Sequence, residues 1–394
     1  MFYVSRMIVL LFIVSISRML LAQGNNTGMG GDELGGHTSL AERILKLENN
    51  HKAFNVYLNF SSAGFVGFDE AHKAGFNCKQ LRLEVKGNLT SHLYYRLRHR
   101  LNKSNSAASE DNFAKATDYM MIGYRFNEKW SVQAGKMCQY WGGYEFDANP
   151  MYIYQYSDMI DNIDSPKAGF VVLYKPIPSQ EIVVEISNSR NEQLGTVFPG
   201  ISNQGIKDTK VPLAYILNWN GNFIDRIIQT RWSWGLRTLA KNSFSRQMIL
   251  GQKLSLSNFQ CYIDYSYEYD DIDRMGIVTR EAGKWLPSGV TFFEKVEHHS
   301  WVAKADWQFA DQWNAYLQGM YETASVRKNV GELKDYRKHY SYLAGLEYYP
   351  DKTQDLRVSI SYLGQAYNYS DKCGFQNYNK NRIELGVMYR IKCF

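Results

Sequence analysis

The chain has 394 residues and a formal net charge of +6, with 45% hydrophobic and 15% aromatic residues, 29 of them tyrosines. Its mean hydropathy of -0.41 excludes a polytopic helical membrane protein, which needs repeated apolar runs of about 20 residues. The aromatic content also excludes a disordered chain. The sequence contains no block of like charges, so it does not predict a nucleic-acid partner.

The one strongly apolar segment lies at the N-terminus, where Arg6 precedes an apolar run that ends at Ala22. This arrangement is typical of a secretory signal peptide, which we expect to span residues 1-22. The chain is therefore expected to be exported.

Residues 23-52 are predicted to form a linker and a short periplasmic helix. The helix is indicated by Leu40, Ile44 and Leu47, which fall on one face behind a capping box. A segment this short is marginal alone, so it is either a leader or a short self-associating coil.

The five cysteines are widely spaced and contain no CxxC pair, so they support neither a disulfide framework nor a zinc site. We expect free thiols, with one bridge among Cys78, Cys138 and Cys373 left open. No other pattern indicates a metal or a cofactor, and none is predicted.

From residue 53 to residue 394 the dominant period of the sequence is two, which places alternate side chains on opposite faces of a sheet. We predict sixteen strands, near 53-60, 78-87, 92-101, 116-126, 130-137, 168-175, 181-187, 211-219, 226-238, 245-257, 259-270, 297-309, 313-322, 338-349, 355-364 and 381-392.

The connections alternate in length, because a short turn follows every even-numbered strand except the last. Longer segments follow the odd-numbered strands, with a shorter one at 239-244. An even strand number with short turns at one end is typical of an outer-membrane β-barrel, whereas a soluble sandwich has no reason to sort its loops. The fold class is therefore all-β, a sixteen-stranded antiparallel transmembrane barrel in contact with outer-membrane lipid. Sixteen strands enclose an aqueous channel.

Inward-facing side chains on two neighbouring strands are mostly basic. Alternation predicts that Glu84 faces the lumen together with five basic residues, which are Arg82, Lys86, Arg96, Arg98 and Arg100. Such a column attracts anions and can pass them along by multidentate hydrogen bonds. In the alternative interpretation, the sign of these polar lumen residues is incidental.

The longest connection, 138-167, is aromatic and contains Gly142-Gly143, and long structured loops are usually functional. We predict that it folds into the barrel as a constriction loop with a net charge of minus four, from five acidic residues and Lys167. An acidic loop that faces a basic wall would produce a transverse field across the narrowest point. The residues assigned to this constriction are Tyr144, Glu145, Asp147, Asp158, Asp161 and Asp164.

The segments QLRLEVKGNLTSHLYYRLRHRLN (80-102) and GKMCQYWGGYEFDANPMYIYQYSDMIDNID (135-164) resemble the phosphate-selective porin O and P family of sixteen-stranded outer-membrane channels. The resemblance implies a homotrimer, passive diffusion of small polar solutes and a preference for anions such as phosphate. It also implies that the five basic residues correspond to the family's lumen residues. Because the loop 138-167 is acidic, the expected preference for anions is weak.

Two other classes of function stay open. A binding or structural subunit would have a closed lumen, which a conductance measurement would reveal. A barrel hydrolase would need an acid-base pair near the rim, and Asp270-Asp271 with His298-His299 are the candidates. No motif with mechanistic spacing accompanies them, so we expect no enzyme activity.

Overall fold

The computed structural model describes residues 53–69, 72–328, 333–351 and 355–394. The predicted signal peptide, linker and short helix lie outside the described residues. No helix in the described part of the chain is both long and apolar enough to cross a membrane.

Sixteen antiparallel strands form a closed barrel, in which each strand pairs with the next and β1 pairs with β16. The predicted fold class is confirmed. The strands are β1 (Asn55–Gly67), β2 (Ala74–Asn88), β3 (Leu93–Arg100), β4 (Thr117–Arg125), β5 (Trp130–Met137), β6 (Lys167–Ile177), β7 (Gln180–Asn188), β8 (Leu213–Phe223), β9 (Ile228–Ala240), β10 (Ser243–Ser255), β11 (Phe259–Asp270), β12 (Val296–Ala310), β13 (Trp313–Val326), β14 (Arg337–Tyr348), β15 (Asp355–Tyr369) and β16 (Tyr378–Lys392).

The first hairpin differs from its prediction, because β1 continues seven residues past residue 60 and β2 begins four residues before residue 78. A register shift between Ser61 and Ser62 interrupts the alternation on which the prediction depends. The pairing of β1 with β2 continues as far as the pair Val66 and Ala74. Backbone hydrogen bonds hold this part of the hairpin together, and they do not require one face of the strands to be apolar. The hairpin therefore extends beyond the residues whose alternating hydrophobicity predicted its two strands.

The barrel wall is apolar outside and polar inside. On β15, Val358, Ile360 and Tyr362 are exposed on the outer surface, whereas the alternate residues Arg357 and Ser359 are buried inside. A lumen lined by polar side chains and an exterior lined by apolar ones match a barrel surrounded by lipid.

Aromatic side chains mark both rims of the barrel. At the short turns Trp130 stacks on Tyr174 with ring centroids 4.2 Å apart. At the opposite rim Tyr321 and Tyr340 lie 5.0 Å apart. Amphipathic rings favour the membrane–water interface, so the two groups bracket the apolar band.

Within the described residues, the long connections carry four short α-helices at the end opposite the short turns. The helices are α1 (Tyr144–Asp147), α2 (Asp158–Asp161), α3 (Leu194–Val197) and α4 (Ile277–Ala282). Single 3-10 turns occur at Pro150–Tyr152, Ile201–Gln204, Gly283–Trp285 and Asp371–Cys373. The first two helices belong to the connection between β5 and β6, which enters the lumen.

Candidate functional site

The segment between β5 and β6, residues 138–166, is called the inner loop because it packs inside the barrel. Its Trp141 is fully buried in a cluster with Ile216 and Ile249 of the wall. Further along, Tyr154 stacks on Tyr316 with ring centroids 4.7 Å apart and lies in a second buried cluster. The inner loop thus crosses the lumen from β5 to the opposite wall.

Two glycines allow the inner loop to approach the wall closely. Gly142 and Gly143 have φ values of 65° and 75°, a region that side chains disfavour. A Cβ atom on Gly143 would lie 2.8 Å from Cγ2 of Ile249. At the next turn the carboxylate of Asp264 accepts hydrogen bonds from the backbone N–H groups of Tyr144 and Glu145, at 2.7 and 2.8 Å.

Helix α2 is fixed to the far wall by charged groups. The backbone N–H groups of Asp158 and Met159 donate to the carboxylate of Glu322 at 2.9 and 3.3 Å. The carboxylate of Asp158 in turn lies 2.7 Å from Nη2 of Arg337 and 2.9 Å from Nδ1 of His339. Burial opposes ionisation of Asp158, but these two cationic partners hold its pKa below the usual range.

The same cluster offers three possible metal ligands, since donor atoms of Asp158, Glu322 and His339 lie within 4.8 Å of one another. Each donor already has a partner, because Arg337 holds Asp158 and the backbone of α2 holds Glu322. The cluster therefore acts as an anchor for the inner loop.

Glu145 is enclosed within the inner loop itself. Its two carboxyl oxygens contact the backbone nitrogen and the hydroxyl of Ser157 at 2.6 and 2.7 Å. Burial raises the pKa of Glu145 to about 8, although the two contacts with Ser157 oppose this shift. Glu145 is thus mainly neutral at pH 7 and adds little negative charge to the lumen.

A cavity of about 480 Å³ remains between the inner loop and the wall made by β2 and β3. Lys79 lines it, but its ion pair with Glu384 balances its charge. All five predicted basic residues also line it, and Arg390 of β16 joins them. These residues are called the basic wall: Arg82, Lys86, Arg96, Arg98, Arg100 and Arg390.

Two carboxylates hold the basic wall together. Asp118 lies 3.3 Å from Arg82, 3.1 Å from Arg98 and 2.7 Å from Arg100. Glu84 pairs with Arg96 at 2.7 Å. Six basic residues against two acidic ones leave a formal excess of four positive charges.

Asp118 is the residue of this cluster that sequence reasoning missed. Strict alternation on β4 would place it outside with Met120 and Ile122, both of which are exposed. A register shift between Arg98 and His99 on β3 instead leaves Asp118 buried. The sequence did contain a signal, because Asp118 shares its predicted face of β4 with apolar residues. A carboxylate that faces lipid is costly, so Asp118 could have been expected to face inward.

The structure separates the six loop residues assigned to the constriction. Asp147, Asp161 and Asp164 line the cavity, whereas Tyr144, Glu145 and Asp158 do not. Asp147 is paired with Arg231 at 2.7 Å, and Asp164 with Lys167 at 2.6 Å. Much less negative charge faces the basic wall than the net loop charge of minus four predicts.

The rim residues considered for hydrolysis have separate partners. Asp270 accepts from the backbone of Arg274 and Asp271 from that of Phe244. His299 contacts Tyr265 and Glu297. Within the part of the chain that the structure describes, no hydrogen bond joins either aspartate to His298 or His299.

The model of the phosphate-selective porin O and P family matches residues 54–391 of the chain. The outer-membrane channel DcaP of Acinetobacter baumannii aligns with a TM-score of 0.58 and 10% identity over 86% of this chain and 97% of that chain. The anion-selective porin from Comamonas acidovorans aligns with a TM-score of 0.55 and 7% identity, over 86% and 99% of the two chains. Salmonella typhi OmpF in complex with daunomycin aligns with a TM-score of 0.57 and 12% identity, over 87% of this chain and 99% of that chain. No curated protein sequence matches significantly.

Proposed function

Because the chain belongs to the phosphate-selective porin O and P family, we propose that its charged cavity is the selective constriction of a diffusion channel with a weak preference for anions such as phosphate. The protein is an outer-membrane porin, so the lumen is where its selectivity arises. The observation that carries the proposal is the formal excess of four positive charges on the basic wall.

The basic wall favours anions because its guanidinium groups outnumber the carboxylates that hold them. Three arginines share Asp118, so one carboxylate cannot neutralise them. In a narrow cavity of low dielectric constant, unbalanced charge acts on a passing ion with less screening than at the rims. The acidic side of the cavity is weaker, since Asp147 and Asp164 are already paired.

The oligomer that the proposal implies is a homotrimer. Each barrel is closed and has its own lumen, so association needs only the outer wall. OmpT of Vibrio cholerae, which matches with a TM-score of 0.55, has a trimer form.

The test is the reversal potential of the purified protein in a planar bilayer under a salt gradient. We expect weak anion selectivity in the wild type. The double variant Arg96→Ala/Arg98→Ala lowers the formal excess from four to two, and should reduce the anion-to-cation permeability ratio roughly two- to fivefold. Glu84 and Asp118 keep other basic neighbours in this variant, so the barrel should still fold.

Asp118→Asn changes the charge of the same cluster in the opposite direction and should increase anion selectivity. Lys129→Ala/Lys338→Ala is the matched control, because both lysines are exposed and neither lines the cavity. A cation-selective wild type, or a reversal potential that neither Arg96→Ala/Arg98→Ala nor Asp118→Asn changes, would refute the proposal. A lumen without conductance would instead favour a structural subunit.

A further inference from the structure

A second cavity, of about 390 Å³, lies at the long-loop end of the barrel, on the other side of the inner loop. It is lined by the inner loop, by the segment after β7 with Arg190 and Phe198, and by Arg274 after β11. Asp161 and Asp164 line both this cavity and the one in front of the basic wall. A solute that moves between the two cavities therefore passes these carboxylates.

Asp161 has no ion-pair partner within the described residues, and the more distant charge of the exposed Lys103 only partly offsets its own. Its side chain is partly exposed and makes no ion pair or side-chain hydrogen bond there. Asp164 is 57% exposed, although Lys167 contacts one of its oxygens. Of the basic groups of the second cavity, Arg190 pairs with Asp208 and Arg274 pairs with Glu268. Arg274 also donates to the backbone oxygen of Asn162 and interacts with the charge of Asp164, so Asp164 is partly balanced whereas Asp161 forms no ion pair in the described structure.

The local structure works against the charge on Asp161. Burial, and then the neighbouring Asp158, raise the pKa of Asp161. It is also the last residue of α2, where the carbonyl end of the helix disfavours a negative side chain. A charge kept against these effects and directed into a cavity is typical of a functional position.

From this arrangement we propose that the channel favours small zwitterionic solutes, such as short peptides with free termini, over anions or cations of the same size. The ammonium group would lie at Asp161, beside the exposed side of Asp164, and the carboxylate at Arg82, Arg98 and Arg100 across the same cavity. This inference rests on the proposed function, because it assigns a class of organic solute to the same constriction.

The preference for zwitterions follows because the two charged ends of the solute can each meet an opposite charge of the cavity at the same time. An anion is attracted to the basic wall but leaves Asp161 without an ion-pair partner, and a cation is repelled by the wall. A zwitterion satisfies both sides, and 480 Å³ is within the size range of small-molecule sites. The expected order of passage is zwitterion, then anion, then cation.

The test is osmotic swelling of phosphatidylcholine vesicles that contain the purified full-length protein. The probes are triglycine as the zwitterion, N-acetyldiglycine as an anion and triglycine amide as a cation. The wild type should pass triglycine fastest. Asp161→Asn/Asp164→Asn should lower the ratio of triglycine to N-acetyldiglycine rates roughly three- to tenfold, since the acidic side of the cavity is lost.

Glu128→Gln/Asp225→Asn is the matched control, because it removes two exposed carboxylates at the short turns and should leave the ratio unchanged. If the double variant does not fold, Asp161→Asn alone should lower the ratio in the same direction, because it breaks no side-chain hydrogen bond to any described residue. A wild type that passes triglycine no faster than N-acetyldiglycine, or a ratio that neither variant changes, would overturn the inference. An anion-selective reversal potential in that protein would still support the proposed function.

Discussion

At the scale of single residues, one buried carboxylate decides how strongly the lumen is charged. Asp118 holds three guanidinium groups within 3.3 Å and keeps them close together on one side of the cavity. Removing one partner of a buried ion pair leaves uncompensated charge, which is why such pairs are retained. Asp118 therefore reduces the repulsion among three arginines that lie close together.

Glu145 provides a test of charge burial that is independent of transport. Its pKa of about 8 in the folded protein exceeds the usual 4.5, so between these values the folded state binds more protons than the unfolded state. Stability should therefore fall as the pH rises from about 4.5 to about 8. Glu145→Gln cannot ionise, and its amide can still contact Ser157.

The measurement is the thermal unfolding midpoint of wild type and Glu145→Gln at pH 5 and pH 9. The wild-type midpoint should fall by roughly 3 °C more than that of the variant. Glu128→Gln is a matched control, because it makes the same substitution at an exposed site outside the inner loop. Parallel pH profiles for the wild type and Glu145→Gln would show that Glu145 ionises normally.

At the scale of elements, the inner loop is positioned by contacts with strands distant in sequence. Asp264 of β11 fixes the start of α1, and Glu322 of β13 fixes the start of α2. Arg231 of β9 pairs with Asp147 between them. These contacts hold the loop against the far wall and leave the cavity open beside β2 and β3.

We expect Asp264→Ala to loosen the first part of the inner loop. The variant loses two hydrogen bonds to a carboxylate, each contributing roughly 1.5–3 kcal/mol. Single-channel recordings should show larger current fluctuations than in the wild type, within a barrel that remains folded.

Asp306→Ala is the matched control for this variant. Asp306 is also a buried carboxylate of the barrel wall, but it pairs with Lys304 and has no hydrogen bond to the inner loop within the described residues. If current noise is the same in the two variants, the carboxylate of Asp264 does not restrain the loop.

At the scale of the whole molecule, closure removes the free edges that a sheet otherwise exposes. The seam between β1 and β16 runs from the pair Tyr57 and Lys392 to the pair Gly67 and Arg382. The wall is therefore continuous, and its backbone groups are paired with neighbouring strands as a lipid environment requires.

A closed barrel of this kind should resist detergent until it is heated. On gels, the unboiled protein should migrate differently from the boiled chain, and crosslinking before electrophoresis should yield a trimer. Deletion of residues 24 to 51 should lower the melting temperature of the oligomer modestly if the predicted helix self-associates. Migration unaffected by boiling, or a monomer after crosslinking, would contradict the predicted assembly.

The sequence by itself determined the barrel. Alternation of side chains reports which face of a strand meets lipid, so the sixteen strands and the inward direction of Arg82 and Arg98 are readable locally. The sorting of short and long connections then indicates the membrane topology. Two predicted strands, 130-137 and 259-270, have the same bounds as β5 and β11.

Only the tertiary structure decided how charge is distributed in the lumen. Asp118 is buried because of a register shift, which breaks the periodicity that a prediction needs. Asp158 faces away from the cavity because it meets Arg337, 179 residues further along the chain. A loop's own residues do not indicate which distant strand it will contact, and this choice leaves Asp161 facing the basic wall without a partner of its own in the described structure.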